Sequence, residues 1–264
     1  MVNDDYKIYV MGCRGSMVVH GSQFNEFGHA TSCYIIKSGK YALVIDCGTG
    51  LHNAREVLKD CEIIDVYFTH VHYDHILGLL NFTVFPKSAD IRFYGAFESW
   101  LGKDTIKEFF RGPFWPIQPD LGELVVLNPN KNKYELRNNV IVESMVSCHP
   151  NHANLLKIYI GGKIIIVLFD CEDPYYMPVS ISKNADIILF DGMYTDEMYD
   201  QHIGWGHATY QSGCKYAKEA EIKRVVICHH DPNNDDAILR KYEQKAKKLN
   251  ENAIFAREGD IYEL

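Results

Sequence analysis

The 264-residue chain has no CxxC pair among its eight cysteines, no apolar run long enough to cross a bilayer, no basic excess and no internal repeat. Each absence excludes something. The longest apolar stretches, such as Ile164–Phe169, fall far short of the ~20 residues a spanning helix needs. The opening MVNDDYKIYV is acidic and lacks an apolar signal core, so a cytoplasmic location is expected. Acidic residues outnumber basic ones, 35 to 27, for a net charge of -8, which argues against a nucleic-acid binder driven by charge, although a local basic patch stays open. The cysteines lie mostly inside apolar runs such as TSCYII and VVIC. They read as small buried hydrophobes of a reducing compartment, with no disulfide framework. With 47% hydrophobic and 23% charged residues the chain is neither disordered, collagenous nor a coiled coil.

What is present is one domain's worth of strands and a few helices, without a Pro- or Ser-rich linker. Lys7–Met11, Ser32–Lys37, Tyr41–Asp46, Ile63–Thr69, Ile91–Tyr94, Val140–Ser147, Leu155–Ile160 and Lys163–Phe169 read as strands. A two-residue turn at Gly161–Gly162 joins the last two. Ile187–Phe190 and Val225–Cys228 are almost wholly apolar, as expected of strands covered on both faces. Leu51–Leu58, a start at Asp74–Leu80 and Thr209–Ala220, with Thr209 as N-cap, read as helices. The pattern suggests an α/β fold, an αββα sandwich of two sheets flanked by helices, which periodicity alone does not separate from other α/β folds. The stretch 98–120 differs. Trp100, Phe109, Phe110, Phe114 and Trp115 surround RGPFWP, giving an aromatic-rich insertion that either borders a cleft or forms a satellite hydrophobic cluster.

The densest chemical signal is Thr69-His70-Val71-His72-Tyr73-Asp74-His75. Three imidazoles and a carboxylate follow an apolar strand, and these are donors that Zn, Mn or Fe accept. On an extended segment His70 and His72 point the same way. Asp74 and His75 then enter a helix and turn back toward a second position, so one segment can serve two metal ions. The competing reading is a solvated His-rich loop.

This HxHxDH run resembles that of the metallo-β-lactamase superfamily, and the order of the remaining motifs is similar to that family from Gly12 to about Asp236. The resemblance implies a dinuclear centre. His70, His72 and His149 would form one site, Asp74, His75 and His229 the other, and Asp170 would bridge them. His230, in the same CHHDP, would be a neighbour. Asp46, in DCGTG, would orient a ligand from behind. GHATS at 28–32 departs from the family's GGNTS-like turn, because Ala30 has no amide side chain. Asp191–Tyr199, then GWGHAT and VVICHHDP, look like the phosphodiesterase branch near tRNase Z and cyclic-phosphate phosphodiesterases. There His207 would contact the phosphate, ahead of the helix start at Thr209. Asp191 and Asp231 are weaker candidates for orienting neighbouring histidines. Arg14 could reach a phosphate or form a structural ion pair. His152 and His202 read as ordinary polar residues.

The resemblance implies two divalent ions, Zn first with Mn or Fe as alternatives, that lower the pKa of water to about 7 for attack on phosphorus. Asp74 could hold the nucleophile's proton, and His207 could stabilise the phosphate or protonate the leaving oxygen. The expected substrate is a small phosphodiester such as a cyclic nucleotide, a cyclic sugar phosphate or a phosphocholine-type ester. A tRNA 3′-processing nuclease, a thioester or lactone hydrolase and a non-catalytic binding module are the alternatives. Nucleic acid is otherwise not an expected partner, no membrane span is expected, and a homodimer is expected from family habit alone.

Overall fold

The computed structural model describes residues 5–95, 105–120, 122–128, 130–172 and 177–264. Its first half supplies strands β1 (Lys7–Gly12), β2 (Cys33–Ser38), β3 (Tyr41–Ile45), β4 (Ile63–Tyr67), β5 (Asp90–Gly95) and β6 (Glu123–Val126). The second supplies β7 (Lys133–Glu135), β8 (Ile141–Val146), β9 (Asn154–Ile160), β10 (Lys163–Leu168), β11 (Ile187–Asp191), β12 (Val225–Cys228) and β13 (Ala253–Phe255), and β14 (Ile261–Glu263) returns to the first sheet. Two seven-stranded sheets result, ordered β14-β1-β2-β3-β4-β5-β6 and β13-β12-β11-β10-β9-β8-β7. Each is antiparallel on one side and parallel on the other: β3 to β6 run parallel, as do β10 to β13.

The apolar runs are explained by burial on two faces. Along β3, Tyr41, Leu43 and Ile45 enter the layer between the sheets, while Ala42 and Val44 face the other way, toward Leu51, Ala54, Leu58 and Leu79. Along β10, Ile165 and Val167 join the central layer. Ile166 and Leu168 pack outward with Tyr210, Cys214 and Ala217 of the helix Tyr210–Glu219 and Leu239 and Ala246 of the helix Asp236–Leu249. Three apolar layers separate four structural ones, the αββα sandwich expected. Each fully buried aliphatic side chain contributes about 1.5–3 kcal/mol relative to exposure.

Local chemistry sets several boundaries. Gly161 and Gly162 both have positive φ, 55° and 75°, and close the β9–β10 hairpin tightly. Thr209 accepts a hydrogen bond from the Ser212 N–H and starts its helix. The expected helix over Leu51–Leu58 is instead a 3₁₀ segment, Thr49–Ala54, followed by one α-turn, Arg55–Leu58. The one expected over Asp74–Leu80 is an α-turn, Tyr73–Ile76, followed by the 3₁₀ segment Leu77–Val84. The sequence reading missed Asp236–Leu249, capped by Asp235, because Leu239 and Ala246 are almost its whole buried apolar stripe. It also missed β6, β7, β13 and β14, the three- or four-residue strands at the outer edges of the two sheets.

Of the insertion, 98–104, with Trp100, lies outside the described residues. Ile106 and Phe110 pack into the outer layer of the first sheet, whereas Phe114 is exposed. Among the described residues no helix is long and apolar enough to cross a membrane.

Candidate metal centre

The chain delivers its histidines and aspartates to one edge of the sandwich, at the carboxyl ends of the parallel strands, where open α/β sheets place ligands. Asp46 follows β3, the His70–His75 segment follows β4, Asp170 follows β10, Asp191 ends β11 and His229 follows β12. His149 comes from the loop between β8 and β9. Asp46, Asp170 and His229 have positive φ values of 59°, 50° and 57°. A non-glycine residue held there costs on the order of 1–3 kcal/mol, and such strain concentrates where side-chain aim matters. The close approach of separate loops depends on small residues. A Cβ on Gly15 would lie 2.3 Å from His229 Nδ1, and one on Gly206 would lie 2.1 Å from His149 Nδ1.

Seven side chains converge. His70, His72 and His149 form one group, and Asp74, His75 and His229 another. Asp170 stands between them. Its Oδ1 is 3.8 Å from His70 Nε2, 3.6 Å from His149 Nε2 and 3.5 Å from His229 Nε2, and its Oδ2 is 3.1 Å from His75 Nε2. His72 Nδ1 faces His149 Nε2 at 2.9 Å. Asp74 Oδ2 is 3.2 Å from His229 Nε2 and 3.4 Å from His75 Nε2, and it accepts the Ser16 N–H at 2.7 Å.

The outer partners settle the tautomers. His75 Nδ1 is 2.7 Å from Asp46 Oδ2, and His149 Nδ1 is 3.0 Å from the Gly206 carbonyl, which can only accept. With Nδ1 committed outward, both rings turn Nε2 inward as the nitrogen that a metal ion would take in place of a proton. His70 Nε2 and Asp170 Oδ2 are buried without a hydrogen-bond partner. Asp46, Asp74, Asp170 and Asp191 are all buried, and among the described residues their ion-pair partners are all imidazoles. Buried carboxylates without cations are costly. The donor set therefore fits divalent metal ions, and the two groups with their shared carboxylate are consistent with a dinuclear site.

The electrostatics point the same way. Burial opposes charge on His75, but Asp170, Asp74 and Asp46 outweigh it and push its pKa well above the ordinary value. His229 likewise overcomes burial through Asp170, Asp191 and Asp74, rising to about 9. Burial also opposes ionisation of Asp170, yet His229, His75 and His70 hold it well below the usual carboxylate range. The cluster calls for positive charge at its centre.

The remaining sequence candidates fall into two sets. Asp46 and Asp191 stand directly behind cluster residues. Asp46 also accepts from the Thr69 N–H and hydroxyl at 2.7 Å each. Asp191 Oδ2 lies 2.8 Å from His207 Nδ1. His207 borders both halves, with its ring 4.8 Å from that of His229 and 5.2 Å from that of His149. His230 turns away. Its Nε2 meets the Ala256 carbonyl at 2.8 Å, and its ring stacks on Phe255. Burial and the nearby Arg14 push it down to about 3, so it stays neutral. Asp231 caps a turn through the Asn233 N–H rather than meeting either histidine. His202 and His152 stay outside the cluster. The sequence reading missed Thr69, the Ser16 N–H, the Gly206 carbonyl and Glu172, whose Oε1 accepts the Gly204 N–H at 2.5 Å. Three of these four act through loop backbone groups, which leave no residue-type signature.

Asp46→Ala is expected to weaken metal affinity by about 10–100-fold, because it frees the His75 ring. Competition with a chromogenic chelator measures this directly.

Comparison with known proteins gives a consistent picture. The model of the metallo-beta-lactamase superfamily matches residues 27–129. Ribonuclease Z of Archaeoglobus fulgidus is 22% identical, covering 84% of this chain and 88% of that protein. The probable metallo-hydrolase YhfI of Bacillus subtilis is 24% identical over 97% of this chain and 99% of its own. Its crystal structure superimposes with a TM-score of 0.73 over 99% of this chain and 100% of that one, at 21% identity. Zinc-bound PqqB from Methylobacterium extorquens gives 0.74, at 17% identity over 98% of this chain and 100% of that one. At these identities the structural likeness establishes the fold.

Proposed function

We propose that the chain is a metal-dependent hydrolase of the metallo-β-lactamase superfamily whose substrate is a small phosphodiester, a reading supported by its His/Asp centre and by the family model over residues 27–129. His70, His72 and His149 would hold one ion, Asp74, His75 and His229 the second, and Asp170 both. Bound divalent ions, Zn before Mn or Fe, supply Lewis acidity and bring the pKa of water toward neutrality. The protein's own part is orientation and proton transfer. Asp46 fixes the ring of His75, and the Gly206 carbonyl fixes that of His149. Asp74, the most exposed of the buried carboxylates at 9%, is placed to take the proton of the attacking water. His207 is placed to meet the departing oxygen.

The observation that carries the reading is the Asp191–His207 pair beside the cluster. With Nδ1 committed to Asp191, the ring presents Nε2, which makes no hydrogen bond among the described residues. A phosphodiester needs such a group twice, to contact a non-bridging oxygen and to protonate an alkoxide leaving group. An activated ester or thioester needs it at neither point. Turnover of bis-p-nitrophenyl phosphate by the metal-loaded protein, beside p-nitrophenyl acetate and a thioester, tests the proposal. Ester or thioester cleavage without diester cleavage overturns it and leaves the metal centre intact.

His207→Ala is expected to slow an alkyl diester by on the order of 10²-fold. It should slow a p-nitrophenyl diester much less, since p-nitrophenolate leaves without a proton. Equal losses on both would remove His207 from leaving-group protonation. The likeness to ribonuclease Z over 84% of the chain favours a second reading, an RNA diester, against which the net charge of -8 weighs. Cleavage of a labelled tRNA precursor in preference to small diesters would select it.

A further inference from the structure

Exposed apolar side chains stand beside the residues that build the His/Asp cluster, and they bear on the identity of the diester, given the phosphodiester reading above. His70, His75, His149, Asp170 and His229 are all between 0% and 4% exposed. Three segments that hold them each present one large apolar side chain to solvent: Met17, Tyr73 and Trp205, at 63%, 72% and 60% exposure. Met17 follows Ser16, whose N–H holds Asp74. Tyr73 separates His72 from Asp74. Trp205 precedes Gly206, whose carbonyl holds His149.

Trp205 is the most tightly fixed of the three. On one side the Gly204 N–H is bonded to the buried carboxylate of Glu172, two residues beyond Asp170. On the other, Gly206 is bonded to His149. The Trp205 N–H closes a turn onto the His202 carbonyl at 3.0 Å. The indole rests edge-on against the His202 ring at 4.9 Å, which stacks on Tyr194 at 4.3 Å, which meets His207 at 6.0 Å. An unbroken series of rings thus runs from the histidine beside the metal cluster to an exposed indole. Solvent contact over most of an indole is unfavourable, and here the backbone is held on both flanks, so the side chain is not merely left over in a loose loop. A preorganised aromatic face of this kind binds a planar ring at low entropic cost, with little dependence on the ring's hydrogen-bonding pattern.

We propose that Trp205 is a specificity-determining residue whose indole stacks on a nucleobase of the substrate, so that the preferred diester is a nucleotide rather than a sugar or choline ester. The charged phosphate goes to the His/Asp cluster and the base to the indole.

The test compares a nucleoside 2′,3′-cyclic phosphate with glycerol 1,2-cyclic phosphate, which carries the same five-membered diester without a base. The metal-loaded wild-type protein is expected to show a KM about tenfold lower for the nucleotide. Trp205→Ala should erase that difference by raising KM for the nucleotide alone, with kcat on both substrates within about twofold, and Trp205→Phe should restore most of it. A second measurement is independent of turnover: calorimetric binding of AMP against glycerol phosphate to the same proteins. Tighter AMP binding that Trp205→Ala abolishes supports the stacking role even if neither cyclic diester is cleaved, an outcome that would count against diester hydrolysis alone. Equal binding of AMP and glycerol phosphate, or an equal effect of Trp205→Ala on both ligands, overturns the proposal.

Discussion

Asp170→Asn is expected to reduce turnover by on the order of 10⁴-fold, about 5 kcal/mol of barrier, and to lower bound metal from two equivalents to one or none. The substitution keeps the side chain's shape and removes its charge. Among the described residues Asp170 is the one carboxylate that reaches imidazoles of both halves, through Oδ1 to His70, His149 and His229 and through Oδ2 to His75. A carboxamide offers one acceptor oxygen and turns an N–H₂ toward the lone pair of either His75 or the opposite set. It thus replaces an anion that can serve two cations with a neutral group whose N–H₂ occupies an imidazole lone pair as a hydrogen-bond donor. The fold should survive, because the strands leading into the position are held by the three apolar layers. Elemental analysis of the purified variant, with diester kinetics at saturating metal, gives both readouts. Full metal content with unimpaired turnover would remove Asp170 from the bridging position.

The second large effect is on stability. Arg14→Ala is expected to destabilise the protein by about 3–5 kcal/mol. For a chain of this size that lowers Tm by about 10 °C. In the sequence, an arginine in GCRGS beside a phosphodiesterase-like motif set could equally reach a phosphate. In the folded chain it is fully buried. Its Nε donates to the Gly28 carbonyl at 2.8 Å and its Nη1 to the Asn234 carbonyl at 2.7 Å, and the guanidinium lies 5.1 Å from the Phe24 ring centre. It fastens the turn after β1 to the loop after His229. Truncation leaves buried carbonyls unpartnered and a cavity behind them. Thermal and urea unfolding of the variant measure the loss. A phosphate-binding arginine would raise KM and leave Tm unchanged, so the two roles give opposite signatures.

The separation between what could be read in advance and what could not follows the range of the interactions. The HxHxDH run is local: strand periodicity aims His70 and His72 together, and a single helical turn brings Asp74 and His75 round. The long strands were legible because their apolar alternation is dense and two-sided, as along β3 and β10. The short edge strands β6, β7, β13 and β14 were not, since three or four residues carry too little period. His229 and His230 are adjacent and chemically identical, so composition cannot separate them. A positive φ at His229 aims one ring into the cluster, and the alternation of the chain sends the other onto Phe255.

The sequence alone determined the His70–His75 segment with its capacity to serve two positions, most of the longer strands, and the exclusion of a membrane-spanning helix among the stretches read, while the two-sheet arrangement and the remaining ligands came from the order of motifs shared with a known family. The first three depend on patterns within a few residues, where backbone geometry relates side chains directly. Only the tertiary structure decided that Asp46 stands behind His75 and Asp191 behind His207, that Arg14 is structural, and that Glu172 and the Gly206 carbonyl fix the loop bearing Trp205. Those relations join residues far apart in the chain, in several cases through backbone groups that every residue possesses. Sheet packing and strand register bring them together, and neither is written in any one segment.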